Sequence, residues 1–326
     1  MLPGTGITIG NSHNNVVDRN DIYDLYNQAI NLGNSLNFDG NGLPNWTHDN
    51  QLTCNHICQV GPGVTSDMGA VHTATGLETG NLIELNSFHD IVHDPGQGGY
   101  GGWGIYLDQG SSFVTVMLNL VYNTSATGFT YNHLESGAYQ LNGTPNPVQN
   151  NIFAFGAQAS IHRNGDDGAL NMNFKSNIVY WDRLAPPFGS LSPQLGTWSC
   201  NGTSTTFTAC FDFQSNMYYS TADPNMIIWR FITAGGNTYT LAQWQASPSP
   251  GDDLGSTVNV DPMFLCAGSS ACGGAPAYDF NLQAASKAPS LINFQPFDPS
   301  QAGRINPVAT PPPLPPAFPL QLSTVF

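Results

Sequence analysis

Positive charge is nearly missing from this chain. Two lysines, Lys175 and Lys287, and five arginines face twenty-two aspartates and glutamates, giving a net charge of −15 over 326 residues. So few cations cannot build the basic patch that nucleic acid requires, and a strongly anionic polysaccharide would meet the same repulsive field. Also missing is any apolar run long enough to cross a bilayer as a helix. No basic segment followed by an apolar core opens the chain either, so no signal peptide is read there. Met1 leads within a few residues into a repeating pattern, without a stretch suited to capping stacked strands. The expectation is a mature domain, a fragment lacking its amino-terminal part, or a chain with a mistaken start.

Cysteine is scarce but paired in sequence: Cys54 with Cys58, Cys200 with Cys210, and Cys266 with Cys272. An even count in loop-rich surroundings points to local disulfides for the last two pairs and to a secreted, oxidising location. Cys54 and Cys58 flank His56, but two sulfurs and one imidazole leave zinc without a fourth ligand. We therefore expect neither a metal nor any other cofactor.

Asparagine is plentiful, and it recurs in one frame. Asn20, Asn55, Asn86, Asn119, Asn151, Asn177 and Asn216 each follow an apolar residue by three positions (Val17, Leu52, Ile83, Val116, Val148, Phe174, Phe213). Each also precedes another by two (Ile22, Ile57, Phe88, Val121, Phe153, Val179, Tyr218). The intervals are 35, 31, 33, 32, 26 and 39 residues, the period of a solenoid with loop insertions. Apolar residues on both sides suit short strands with alternate side chains turned inward, the Asn standing at the bend between them. Stacked amides can bond one another and the backbone along the stack. The reading is an all-β fold, a parallel β-helix, right-handed by the general preference of parallel crossovers.

A further strand in each coil supplies an inward column of Ile30, Val71, Ile105, Phe129 and Ile161. The next residue outward is Asn31, His72, Tyr106, Thr130 or His162, and a further row holds Gly33, Ala74, Asp108, Asn132 and Asn164. A long outer face with rings for stacking and amides for hydroxyls suits an oligo- or polysaccharide. We divide the chain into coils over residues 1–225, a carboxy-terminal continuation or cap over 226–305, and a Pro-rich extended tail over 306–326. A short helix is expected at Thr240 to Ala246.

Two segments resemble a known group. Ser66-Asp67-Met68-Gly69-Ala70-Val71-His72-Thr73, with Gly98-Gly99-Tyr100-Gly101-Gly102-Trp103-Gly104-Ile105-Tyr106-Leu107-Asp108-Gln109-Gly110-Ser111-Ser112, is similar to right-handed β-helix proteins related to family 141 glycoside hydrolases. Asn151 to Gly156, Asn177 to Asp182 and the closing Asp261-Pro262-Met263-Phe264, Asp279-Phe280-Asn281-Leu282 and Gly303 extend the similarity over about residues 5–305. It implies glycosidic bond hydrolysis by Asp67 and Asp108, one as acid and the other as nucleophile or base. His72, Trp103, Tyr106 and His162 would be their partners at the substrate, and Arg163 is the basic residue near that face. The chain departs from the group at Ala70-Val71-His72, where Gly-Ile-Tyr is usual, and at Gln109, where Glu is usual.

Read from the residues alone, Asp108 at a strand end equally suits a turn that accepts backbone N–H bonds. On an ideal straight strand Asp67 would lie about 20 Å from Asp108, so a bend at Met68-Gly69 must bring them together. Glu78, Asp94 and Glu135 are the reserve acids. Two other readings stay open: a noncatalytic carbohydrate-binding or surface-structural solenoid, and a polysaccharide lyase using a basic proton-abstracting group.

Overall fold

The computed structural model describes residues 4–33, 46–61, 65–73, 77, 79–93, 101–108, 111–132, 145–157, 159–164, 172–182, 211–222, 227–231, 237–246, 253–268 and 278–305. The Pro-rich tail lies outside them. The architecture is an all-β parallel solenoid of three long sheets. The first sheet takes Ile7–Ile9, Ile30–Leu32, Gly69–Thr73, Trp103–Leu107, Thr127–Asn132 and Ala159–Asn164. The second takes Val16–Asp18, Gln51–Thr53, Asn81–Glu84, Val114–Met117, Asn146–Gln149, Met172–Lys175 and Phe211–Gln214. The third takes Asp21–Leu25, His56–Val60, Ser87–Ile91, Leu120–Thr124, Ile152–Ala154, Ile178–Trp181, Met217–Ser220 and Thr257–Val258. Successive coils lay one strand in each sheet.

The predicted inward column stacks in register. Ile30 pairs with Val71, Val71 with Ile105, Ile105 with Phe129, and Phe129 with Ile161. All five are at most 2% exposed. Phe88, Phe153, Phe174 and Phe213 fill the remaining interior, with ring centroids 5.9 Å apart for Phe153–Phe174 and 5.2 Å for Phe174–Phe213. Each such side chain removes its surface from water at about 1.5–3 kcal/mol.

The seven asparagines form one ladder at the bend between the second and third sheets. Each amide Nδ2 donates to the Oδ1 of the next, at 2.9 to 3.3 Å. From Asn55 onward, each Nδ2 also donates to the carbonyl of the apolar frame residue one coil back, such as Ile83 O for Asn119 at 2.8 Å. The backbone N–H of each Asn reaches the next Oδ1 as well. The residue before every ladder Asn is left-handed: Arg19, Cys54, Leu85, Leu118, Asn150, Ser176 and Ser215 have φ of 53° to 57°. That conformation costs a non-glycine residue roughly 1–2 kcal/mol, and the buried amide bonds offset it.

A second ladder, absent from the sequence reading, stands at the bend between the first and second sheets. Asn15 Nδ2 donates to Asn50 Oδ1 at 2.8 Å, and Asn50 Nδ2 to Asn81 Oδ1 at 3.0 Å. Asn146 continues the line by accepting the Val114 N–H at 2.9 Å. Each of these asparagines sits five residues before a ladder Asn of the first series.

Beyond Ser220 the described residues leave the stack, though Thr257–Val258 adds a last strand to the third sheet. Helix Leu241–Gln245 is held by a capping box between Thr240 and Gln243 and buries Leu241 and Trp244. Hairpin Phe264–Ala267 with Tyr278–Leu282 and helix Ala288–Ile292 pack on the outer face of the third sheet, where Phe264, Phe280 and Ile292 join Leu120, Ile152, Tyr180 and Met217. The segment is tied down at its end by Gly303 N–H to Cys54 O at 2.7 Å. Cys266 is disulfide-bonded; Cys272, Cys200 and Cys210 lie outside the described residues. Cys54 and Cys58 are free thiols.

Candidate active site

The outward row of the first sheet is in the expected register: Asn31 beside His72, His72 beside Tyr106, Tyr106 beside Thr130, and Thr130 beside His162. It is not, however, the open face anticipated. His72 is 7% exposed, Asp108 5%, Trp103 4%, and Tyr106 and Thr130 1% each. The aromatic residues shield one another. Tyr106 lies edge-on to His72 with centroids 4.9 Å apart and 4.2 Å from Trp103, which packs with Tyr106 and Ala126.

Strand pairing brings the two aspartates to one place. Asp108 follows the strand Trp103–Leu107, and its N–H bonds Thr73 O on the neighbouring coil at 3.1 Å. Its carbonyl accepts from the N–H and the hydroxyl of Ser111, a turn made by the backbone. Among the side-chain contacts of Asp108, Oδ2 stands 3.3 Å from His72 Nε2. A carboxylate only accepts, so that contact requires the proton on Nε2. The other ring nitrogen, Nδ1, is 2.7 Å from Asn31 Oδ1. Asn31, His72 and Asp108 thus form a line across three coils.

Asp67 reaches the cluster by the bend that the separation demanded. Its own φ is 54°, and Gly69 follows at the start of the strand. The backbone of Gly101 packs against Asp67, where a Cβ would stand 2.5 Å from the Asp67 nitrogen; its φ of 112° is also one that suits glycine. Tyr106 O–H donates to Asp67 Oδ1 at 3.1 Å. Asp67 is exposed at the rim of the cluster, yet the protein crowded around it removes part of its hydration; this raises the carboxyl above the ordinary aspartate range, and the negative charge of Asp108 pushes the same way. The Tyr106 bond and His72 pull it back in part. A carboxyl so placed holds its proton longer than a free aspartate, the requirement of a general acid.

Asp67, His72, Trp103, Tyr106 and Asp108 are therefore joined through their side chains and ring contacts. His162 is two coils further along the same row, and burial pushes its imidazole down to about 4, although part of its surface still meets solvent. Arg163 pairs with Tyr131 through the backbone; its side chain lies outside the described set, as do Glu78, Asp94, Glu135 and Gln109. Asn31 and Ser111 were missed as site residues. Asn31 was visible as the row neighbour of His72, whereas Ser111 acts through a turn that no repeat encodes. No family model, curated protein or solved structure matches the chain, so function must be argued from this geometry.

Proposed function

We propose that the protein is a secreted glycoside hydrolase on a right-handed β-helix, in which Asp67 is the general acid and Asp108 the nucleophile or the base that activates water. The single observation that supports this most is the pairing of two aspartates in one side-chain cluster, Asp108 buried and Asp67 at its exposed rim, with different partners. Asp67 is raised by lost hydration and held by the Tyr106 hydroxyl, and Asp108 faces His72. Two carboxyls with distinct environments are what acid-assisted glycoside cleavage needs. Of the five cluster residues Asp67 alone is open to solvent, so a strand of polysaccharide laid lengthwise fits poorly. A terminal sugar presented end-on fits better, with Trp103 and Tyr106 walling the site.

The low exposure also favours a second reading, a noncatalytic carbohydrate-binding solenoid in which the cluster is a packed polar seam. A lyase is less well supported, since the described cluster supplies no lysine or arginine as proton-abstracting base. One experiment separates the three: neutral and uronate-containing oligosaccharides are each incubated with the protein while new reducing ends and the absorbance of unsaturated products are followed. Hydrolysis releases reducing ends alone and is lost in Asp108→Asn. Unsaturated product identifies a lyase, and binding without turnover identifies the solenoid reading.

A further inference from the structure

The outer face of the third sheet carries a different set of side chains. His56 and Cys58 lie two apart on the strand His56–Val60, on one side of it, and His89 stands directly beside Cys58 on the strand Ser87–Ile91. One nitrogen from each imidazole and the Cys58 sulfur all lie within 4.8 Å of one another. The two Nε2 atoms are 2.8 Å apart. His89 Nδ1 is 2.8 Å from Asp90 Oδ2, and His56 Nδ1 is 3.3 Å from Asp21 Oδ1.

The arrangement has an electrostatic consequence. Carboxylates only accept, so each Nδ1 carries the proton it shares with its aspartate. Both Nε2 lone pairs then point at each other, and a cation or a shared proton must lie between them. Asp21 and Asp90, each against an Nδ1, bring negative charge to the spot, which favours a cation there.

We propose that His56 Nε2, His89 Nε2 and Cys58 Sγ bind a divalent transition-metal ion of the zinc class, independently of the hydrolase reading. The donor set is nitrogen and thiolate, which suits zinc and disfavours calcium or magnesium. Two zinc–nitrogen bonds at a tetrahedral angle place the nitrogens about 3.3 Å apart, so the rings need part by only roughly half an ångström. Asp90 and Asp21 are the carboxylates that orient metal-bound histidines through the far nitrogen. Three protein ligands leave one position for water or a small ligand. His56 and His89 also border a depression of about 350 Å³, walled by Tyr122, Tyr278, Phe280 and Asn281. The site is an open one, beside a cavity that the carboxy-terminal residues complete.

The test is equilibrium dialysis of the full, metal-stripped chain against zinc at neutral pH, with cobalt(II) as the spectroscopic probe and magnesium as control. The proposal predicts one zinc per chain, no competition by magnesium, and a cobalt spectrum with a thiolate charge-transfer band. Cys58→Ser should abolish that band, His89→Ala should weaken zinc binding by more than about a hundredfold, and Asp90→Asn by about ten- to a hundredfold. Circular dichroism checks that each variant is folded. A wild-type chain without stoichiometric zinc, or without the charge-transfer band, overturns the proposal whether or not the variants fold. So does zinc held equally well by folded Cys58→Ser and His89→Ala.

Discussion

The first and third sheets share one interior and differ in everything outside it. Inward, both present apolar residues stacked in register, such as Ile105 on Phe129 and Phe88 on Val121. Outward, the first sheet shows Asn31, His72, Tyr106, Thr130 and His162. The third shows Tyr23, Cys58, His89, Tyr122, Ala154, Tyr180 and Tyr219. The middle of the first row, His72, Tyr106 and Thr130, is buried with Asp108, while Asp67 stands at the exposed rim. The third is aromatic where Phe264 and Phe280 cover it and metal-donating where the cover ends. Core packing constrains only alternate positions of a strand, so one scaffold can carry separate chemistries on its faces.

That comparison can be attacked first at the scaffold both faces depend on. Asn119→Ala removes a fully buried amide and leaves Ile83 O, the Asn86 N–H groups and Asn151 Oδ1 short of partners. We expect a loss of about 3–5 kcal/mol, read from denaturant unfolding, and loss of both sites together. Phe280→Ala should cost less, about 3 kcal/mol. It should speed hydrogen exchange across residues 278–305 while leaving turnover at the first sheet unchanged. If turnover collapses with it, the faces are not independent.

How far the sequence disclosed this arrangement follows the same division. The Asn20–Asn216 ladder was legible because two apolar columns mark every frame. The ladder through Asn15, Asn50, Asn81 and Asn146 was equally periodic but is broken by Val114, so no column drew attention to it. His89 was missed as a partner of Cys58 although both stand three residues after a ladder Asn. The nearer cysteine in sequence, Cys54, stands at the left-handed bend, and the partner of Cys58 comes from the next coil instead. The meeting of Asp67 with Tyr106 and the burial of His72, Tyr106 and Thr130 were not legible, because both depend on turns outside the repeat.

Smaller effects sharpen the account of the first face. The Asp67 carboxyl is raised on folding, so its contribution to stability is full below the ordinary value of 3.8 and is lost as pH rises through the folded value. Asp67→Asn removes that loss. The variant should melt higher than the parent at pH 7 and show no advantage below about pH 3.8, as thermal unfolding across pH would record. Tyr106→Phe takes away a bond that favours the charged form. The Asp67 carboxyl should then titrate higher still, seen as an upward move of the alkaline limb of the rate profile with a modest change in its height.

The division of labour between the two aspartates is tested most directly by the pH dependence of kcat/KM for the parent and for Asp67→Asn on a neutral oligosaccharide the parent cleaves. We predict a parent profile whose alkaline limb falls above the ordinary aspartate range. The variant should be slower by about two to four orders of magnitude at its optimum. A variant that keeps turnover within a few-fold of the parent at every pH would contradict the assignment of Asp67 as the acid.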